Sequence, residues 1–113
     1  MGSSQSTVDF MLDQVSQAGT VIARKMFGEY GLYFEGKMVA VVCDDQLFIK
    51  PTPGGRSYIG TPNEQQPFPQ AKPWFLIDGE ELEDRGWLAQ LVRITATELP
   101  QPAPKTKKAK TAA

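Results

Sequence analysis

Val8, Met11, Leu12, Val15 and Ala18 recur at i, i+3, i+4, i+7 and i+10, which puts them on one face of a helix. The spacing predicts a helix over residues 7–18, capped by Ser6, with Asp9 three residues on and Gly19 as its stop. A helix this short is marginal alone and must dock on something. From Met26 the pattern changes. Met26 to Glu35 is rich in aromatics, Glu35-Gly36-Lys37 reads as a turn, and Met38-Val39-Ala40-Val41-Val42-Cys43 is apolar at every position. Asp44-Asp45 is a second turn, and Gln46 to Lys50 a third extended run. Residues 26–50 thus predict a three-strand meander. Its middle strand is apolar on both faces, so both faces need cover, one by helices and the other by something else, such as a second copy of the chain. Gly28 and Gly31 point to a bulge or a close backbone approach.

Pro51, Pro53, Gly54, Gly55, Gly60 and Pro62 then interrupt the pattern, leaving room for a short helical turn around Arg56-Ser57-Tyr58-Ile59. Pro67, Pro69 and Pro73 keep residues 61–73 out of a central strand. Lys72 to Ile77 reads as a further strand, late to enter the sheet or near its edge. Trp87, Leu88, Leu91, Val92, Thr95 and Leu99 make a second helical stripe, predicting one helix over 80–99. Asp78 and Glu81 have capping-box spacing at its start, and Gly86 within it costs about 1 kcal/mol against Ala. Pro100, Pro102 and Pro104 end it, and residues 100–113 are expected to be disordered. Strand runs bracketed by helices, without βαβ alternation, predict an α+β fold with an antiparallel sheet and helices on one face.

Composition narrows the chemistry. The 113 residues suit one domain, and 41% hydrophobic content is ordinary for a globular chain. The sequence has no histidine, which excludes a Ser-His-Asp triad, a Cys-His pair and any His-containing zinc site. Cys43 is the single cysteine, so no intramolecular disulfide can form, in keeping with a reducing compartment such as the cytosol. No apolar run approaches the ~20 residues that cross a bilayer. The start, Met1 to Ser6, lacks the features of a signal peptide. It fits the myristoylation pattern through Gly2 and Ser6, but reads more simply as a flexible terminus. Net charge is -1, unevenly spread. Setting aside Lys105, Lys107, Lys108 and Lys110 leaves 8 basic against 13 acidic residues, an acidic body with a basic tail. An acidic body argues against autonomous duplex binding, which rests on counterion release.

Several local patterns carry two readings. Pro53-Gly54-Gly55-Arg56 has the amides and cation of an anion-binding loop, or is a plain turn. Asp44-Asp45 is a carboxylate pair suited to a divalent cation, or turn chemistry. Glu80, Glu81, Glu83 and Asp84 form an acidic patch or complement a helix dipole. Cys43, flanked by Val42 and Asp44, lacks the cationic neighbour of a reactive thiol and reads as a buried structural residue. Arg24-Lys25, with Tyr30 and Tyr33 close behind, mixes charge with aromatics as single-strand binders do, or merely joins a helix to an aromatic strand. The lysine tail adds non-specific affinity for DNA or an anionic membrane, or only solubility. The candidate interaction surface is Arg24, Lys25, Tyr30, Lys50, Arg56 and Tyr58, with tail contacts from Lys105, Lys107, Lys108 and Lys110. No catalytic, metal-binding or cofactor-binding residue is identified.

Arg24 to Tyr33, with Met26-Phe27-Gly28 at its centre, resembles the opening of the N-terminal domain of the TfoX/Sxy family, bacterial regulators associated with natural competence. The resemblance runs through Phe34 to Ala40 and Leu47 to Pro51 and, less specifically, through Trp74-Phe75 and the Leu82–Leu99 segment. It covers residues 7–99, with 1–6 as a flexible start and 100–113 as a tail. It implies a two-layer fold of helix, three strands, short helix, two strands and helix, similar to secretion chaperones. It also implies a cytoplasmic, non-enzymatic regulatory role through a protein partner, either transcription machinery or a cyclic-AMP-receptor-type regulator, with no cofactor and no membrane. A homodimer is a further expectation. The alternative is a nucleic-acid-binding module using Arg24, Lys25, Arg56 and the tail. The best-studied members carry a second, helical C-terminal domain, where this sequence has a Pro/Lys tail after Leu99 and resembles the family's stand-alone N-terminal domains.

Overall fold

Ser4, rather than Ser6, starts the first helix. In the computed structural model, which describes residues 4–26 and 29–99, helix α1 runs Gln5–Val15 and continues as a 3₁₀ turn over Ser16–Ala18. The Ser4 hydroxyl accepts the Thr7 N–H at 3.2 Å. The Ser4 N–H donates to Asp45 Oδ1 at 2.9 Å, and this second bond draws the helix start back from the expected Ser6. Asp9, expected in a capping box, instead accepts from the Gln5 amide at 2.9 Å. The predicted stripe holds, with Val8, Met11 and Val15 buried. Gly19 ends the segment at φ 139°, where a Cβ would meet Phe34 Cε1 at 2.9 Å, so conformation and space both require glycine.

The meander has four strands, not three: β1 Val21–Met26, β2 Glu29–Phe34, β3 Lys37–Cys43 and β4 Gln46–Ile49. The added strand is β1. Its residues read as a connection, yet they pair with β2 along their whole length, from Val21 opposite Phe34 to Met26 opposite Glu29. Val21 and Ala23 pack toward the core while Ile22 and Arg24 are exposed, an alternation too short to stand out beside the aromatic run that follows. Register shifts once between β2 and β3, between Leu32 and Tyr33 rather than at Gly31, so that Leu32 pairs Ala40, Tyr33 pairs Met38, and Val39 is the extra residue of a bulge. Phe27 and Gly28 lie outside the described residues. The β2–β3 and β3–β4 hairpins turn on left-handed pairs, Glu35-Gly36 at φ 54° and 81° and Asp44-Asp45 at φ 53° and 61°.

Helix α2 spans Pro53–Ile59, followed by β5 Asn63–Gln65, β6 Trp74–Ile77, α3 Gly79–Glu83 and α4 Arg85–Glu98. The sheet order is β1-β2-β3-β4-β6-β5, and every neighbouring pair is antiparallel. Two expectations change here. Helix α2 begins at Pro53, before the expected Arg56, because proline suits the first helical position and Thr52 caps it through the Gly55 N–H at 3.0 Å. The single helix expected over 80–99 is two. Asp78 and Glu81 do form the predicted capping box. Asp84 then leaves helical geometry at φ -94°, ψ 85°, and its carboxylate caps a new helix by accepting the Trp87 N–H at 3.1 Å. Gly86 therefore falls in a first turn, not in a helix interior.

The core lies between the helices and one face of the sheet. Val8, Met11 and Val15 of α1 and Leu88, Leu91 and Val92 of α4 join Leu32, Val42, Leu47, Ile49, Phe75 and Ile77 from the strands. Val41, Cys43 and Phe48 are buried on the opposite face, with Met38, Trp74 and Leu76 packed around them. The sheet's own side chains make up this second cluster, which no helix covers among the described residues. None of the described helices is long and apolar enough to cross a membrane.

Replacing Asp84 by Ala should lower stability in urea unfolding by about 1 kcal/mol, because the α4 cap is lost while its buried face stays intact; Asp84→Asn should keep most of that stability. Leu91→Ala, at a fully buried position of the same helix, should cost about 2–5 kcal/mol.

Candidate interaction surface

One edge of the sheet gathers part of the surface expected from sequence. Arg24 of β1 lies on the helix-free face, its guanidinium carbon 5.7 Å from the centre of the Tyr33 ring. Gly31 stands opposite Arg24, so no side chain separates the cation from that ring. Lys25, on the other face, stands opposite Tyr30, whose hydroxyl donates to Gln5 Oε1 at 3.4 Å and ties β2 to α1. Arg24 and Lys25 are exposed, and neither forms an ion pair among the described residues. Ile22, on the same face as Arg24, is 55% exposed. At this end of β1 a groove of about 720 Å³ is lined by Gly19, Ile22, Arg24, Tyr33, Phe34 and Glu35.

The remaining expected residues lie elsewhere. Arg56 pairs with Glu64 of β5, the opposite edge strand, and its guanidinium carbon sits 5.3 Å from the centre of the Phe75 ring. The hydrogen bond from Arg56 holds the Glu64 carboxyl below its ordinary range. Tyr58 donates to the Trp87 carbonyl at 3.0 Å and stacks on the Trp87 ring at 5.5 Å. Burial, and then the charge of Asp84, raise its phenol above the usual value. Lys50 is half-buried, and its N–H donates to the Val39 carbonyl at 2.9 Å, extending the β3–β4 ladder. Strands β1 and β5 are the two opposite edges of the sheet, so Arg24 and Glu64-bound Arg56 do not form one patch. Lys105, Lys107, Lys108 and Lys110 lie outside the described residues.

The first glycine of the expected anion loop does meet an anion, but it belongs to the protein. The Gly54 N–H donates to Glu98 Oε1 at 2.9 Å, and a Cβ on Gly54 would fall 1.8 Å from Glu98 Oε2. Glu98, at the last position of α4, thus occupies the first turn of α2. Sequence reading missed it because the partners are 44 residues apart and a terminal Glu carries no local signal. Asp44-Asp45 is likewise turn chemistry: Asp45 accepts the Ser4 N–H, and the Asp44 N–H donates to Glu29 Oε2 at 3.2 Å. Among the described residues, no group of three or more His, Cys, Asp or Glu side chains is placed to hold a metal ion. Glu81 serves the α3 capping box and Asp84 the α4 cap. Cys43 is buried, and its thiol is pushed up to about 11, first by that burial and then by the nearby charges of Glu29 and Asp44. At neutral pH it is a protonated, unreactive thiol.

Known sequences are similar to this chain. The family model for the TfoX N-terminal domain matches residues 13–99. A protein of Spirochaeta aurantia, described as an uncharacterized 12.7 kDa protein in the trpE 5′ region, is 36% identical over 111 residues, which cover 98% of this chain and 96% of the relative.

The state of Cys43 can be read directly. A rise from 9.0 to about 11 lowers the thiolate fraction near pH 8 about a hundredfold. Alkylation by iodoacetamide should therefore be at least that much slower in the native protein than in urea. Because the folded protein favours the protonated thiol, this contribution to stability is fully present below pH 9.0 and is lost as pH rises through about 11. Cys43→Ala should flatten the fall in stability over that alkaline window.

Proposed function

Because the chain belongs to the TfoX N-terminal domain family, we propose that it is a non-enzymatic regulatory domain that works in the cytoplasm by binding another protein along the β1 edge of its sheet. The family is associated with competence regulation and is not a known enzyme family. The partner class is a protein of the transcription apparatus, a cyclic-AMP-receptor-type regulator among them.

The observation that carries this reading is the inequality of the two sheet edges. An edge strand presents backbone N–H and C=O groups that a further strand can use, and proteins blunt edges that must stay empty. The β5 edge is blunted: three polar residues, between Pro62 and Pro67. The β1 edge is twice as long, pairs with β2 without a bulge, and carries exposed Ile22, Arg24 and Lys25. The two cations, free of ion pairs among the described residues, also support a second reading, nucleic-acid binding, which the same experiment separates.

A tagged full chain and an Arg24→Glu/Lys25→Glu double variant should be compared for proteins retained from nuclease-treated lysate. The expected result is a set of proteins held by the parent and depleted about tenfold by the variant, as loss of roughly 1.4 kcal/mol would give, with equal melting temperatures. A labelled DNA duplex should not bind the full chain at physiological salt. Identical retention by both chains, or duplex binding that falls steeply with salt, would count against the protein-binding reading.

A further inference from the structure

We infer that the β1 edge takes an extended acidic peptide segment, added antiparallel as a seventh strand, with two consecutive acids followed two positions later by an apolar residue. This rests on the reading of β1 as the working edge and names the chemistry of its partner.

The pattern follows from register. In an antiparallel addition, the incoming chain runs past Lys25, Arg24, Ala23 and Ile22 in that order. Residues opposite one another lie on the same face, with Cβ atoms about 5 Å apart, so each incoming side chain is matched to one on β1. The first acid meets Lys25 on the helix-covered face. The second meets Arg24 on the helix-free face, where Tyr33 holds the guanidinium. The residue opposite Ala23 is unconstrained. The one opposite Ile22 points the same way as the second acid and covers the 55%-exposed Ile22 at the mouth of the groove between Ile22 and Tyr33.

Charge selects this occupant over a second copy of the chain. Strand β1 holds two cations and no carboxylate. A β1–β1 seam would therefore pair strands that carry four cations and no acid between them, whereas an acidic strand supplies both missing counter-charges. Geometry selects it over a nucleic acid. Arg24 and Lys25 are successive strand residues on opposite faces, so they cannot jointly track one phosphate backbone, and Arg56 stands at the far edge, engaged by Glu64.

The test uses the full chain, isotopically labelled, and a synthetic peptide centred on Thr-Glu-Glu-Thr-Val-Thr. Addition of the peptide should shift the amide resonances of Val21–Met26 and slow their hydrogen exchange. Binding should weaken about tenfold for the Arg24→Glu/Lys25→Glu variant, as the loss of two cross-strand charge pairs would give. A Lys-Lys version of the peptide should restore binding to that variant. Absence of β1 shifts with the acidic peptide overturns the inference; if the double variant still loses its retained proteins, the edge reading survives with a partner of different chemistry. A dimer mass in light scattering that falls to a monomer in the variant overturns it in favour of a second copy. Shifts of the same amides by a short DNA duplex overturn it in favour of nucleic acid.

Discussion

Leu88, Leu91, Val92 and Ala96 on α4 enter the same buried cluster as Val42, Leu47, Ile49 and Phe75 on the central strands, and the other helices are placed by that contact. Helix α1 packs beside α4, and Arg85 at the start of α4 bonds both Asp13 and Gln14 of α1. Helix α2 is fastened to the other end of α4 through Gly54 and Glu98 and to its start through Tyr58 and Trp87. Thr95, fully buried within the stripe, satisfies its hydroxyl on the Leu91 carbonyl at 2.8 Å, so the stripe carries a polar group without leaving it unpaired. A helix with one apolar stripe can cover only one face of a sheet. That constraint leaves the second face to its own side chains, and there Val41, Cys43 and Phe48 are shielded by Met38, Trp74 and Leu76.

The same constraint explains why Cys43 is inert and why the working surface lies at an edge. With the centre of the helix-free face already closed by large side chains, the thiol is desolvated and faces two carboxylates, the reverse of what activates a cysteine. The helix-covered face is closed as well. What remains open is the perimeter, and the perimeter is not uniform: one end is short, polar and proline-bounded, the other long, regular and cationic.

Much of this was legible in the sequence where burial is strong. The stripes of α1 and α4, the doubly apolar β3 and the late strand β6 all follow from residues whose spacing matches a helix or whose run is uniformly apolar. What was not legible depended on neighbours distant in sequence. Strand β1 shows only two core-facing residues, Val21 and Ala23, so its pattern is weak, and only β2 makes it a strand. The break at Asp84 lies in the acidic run ahead of the stripe, where nothing local marks it, and it appears only once Asp84 is seen capping Trp87. The start of α2 looked barred by Pro53-Gly54-Gly55, yet proline is favoured at a first turn, and Gly54 makes room for Glu98.

The residues that looked most chemical in the sequence divide into two groups once their partners are known. Arg56 is held by Glu64 and Phe75, Tyr58 by Trp87, the Gly54 amide by Glu98 and the Gly55 amide by Thr52. Their polarity is satisfied internally, and a ligand would have to displace a contact that orders α2. Arg24 and Lys25 differ. Arg24 rests on an aromatic ring, which orients it without neutralising it, and Lys25 stands clear of any ion pair among the described residues. An oriented, uncompensated cation on an edge strand leaves the fold unaltered when it takes a counter-charge. With Arg56 and Tyr58 satisfied internally, the exposed cations left open on the candidate surface among the described residues are those of the β1 edge.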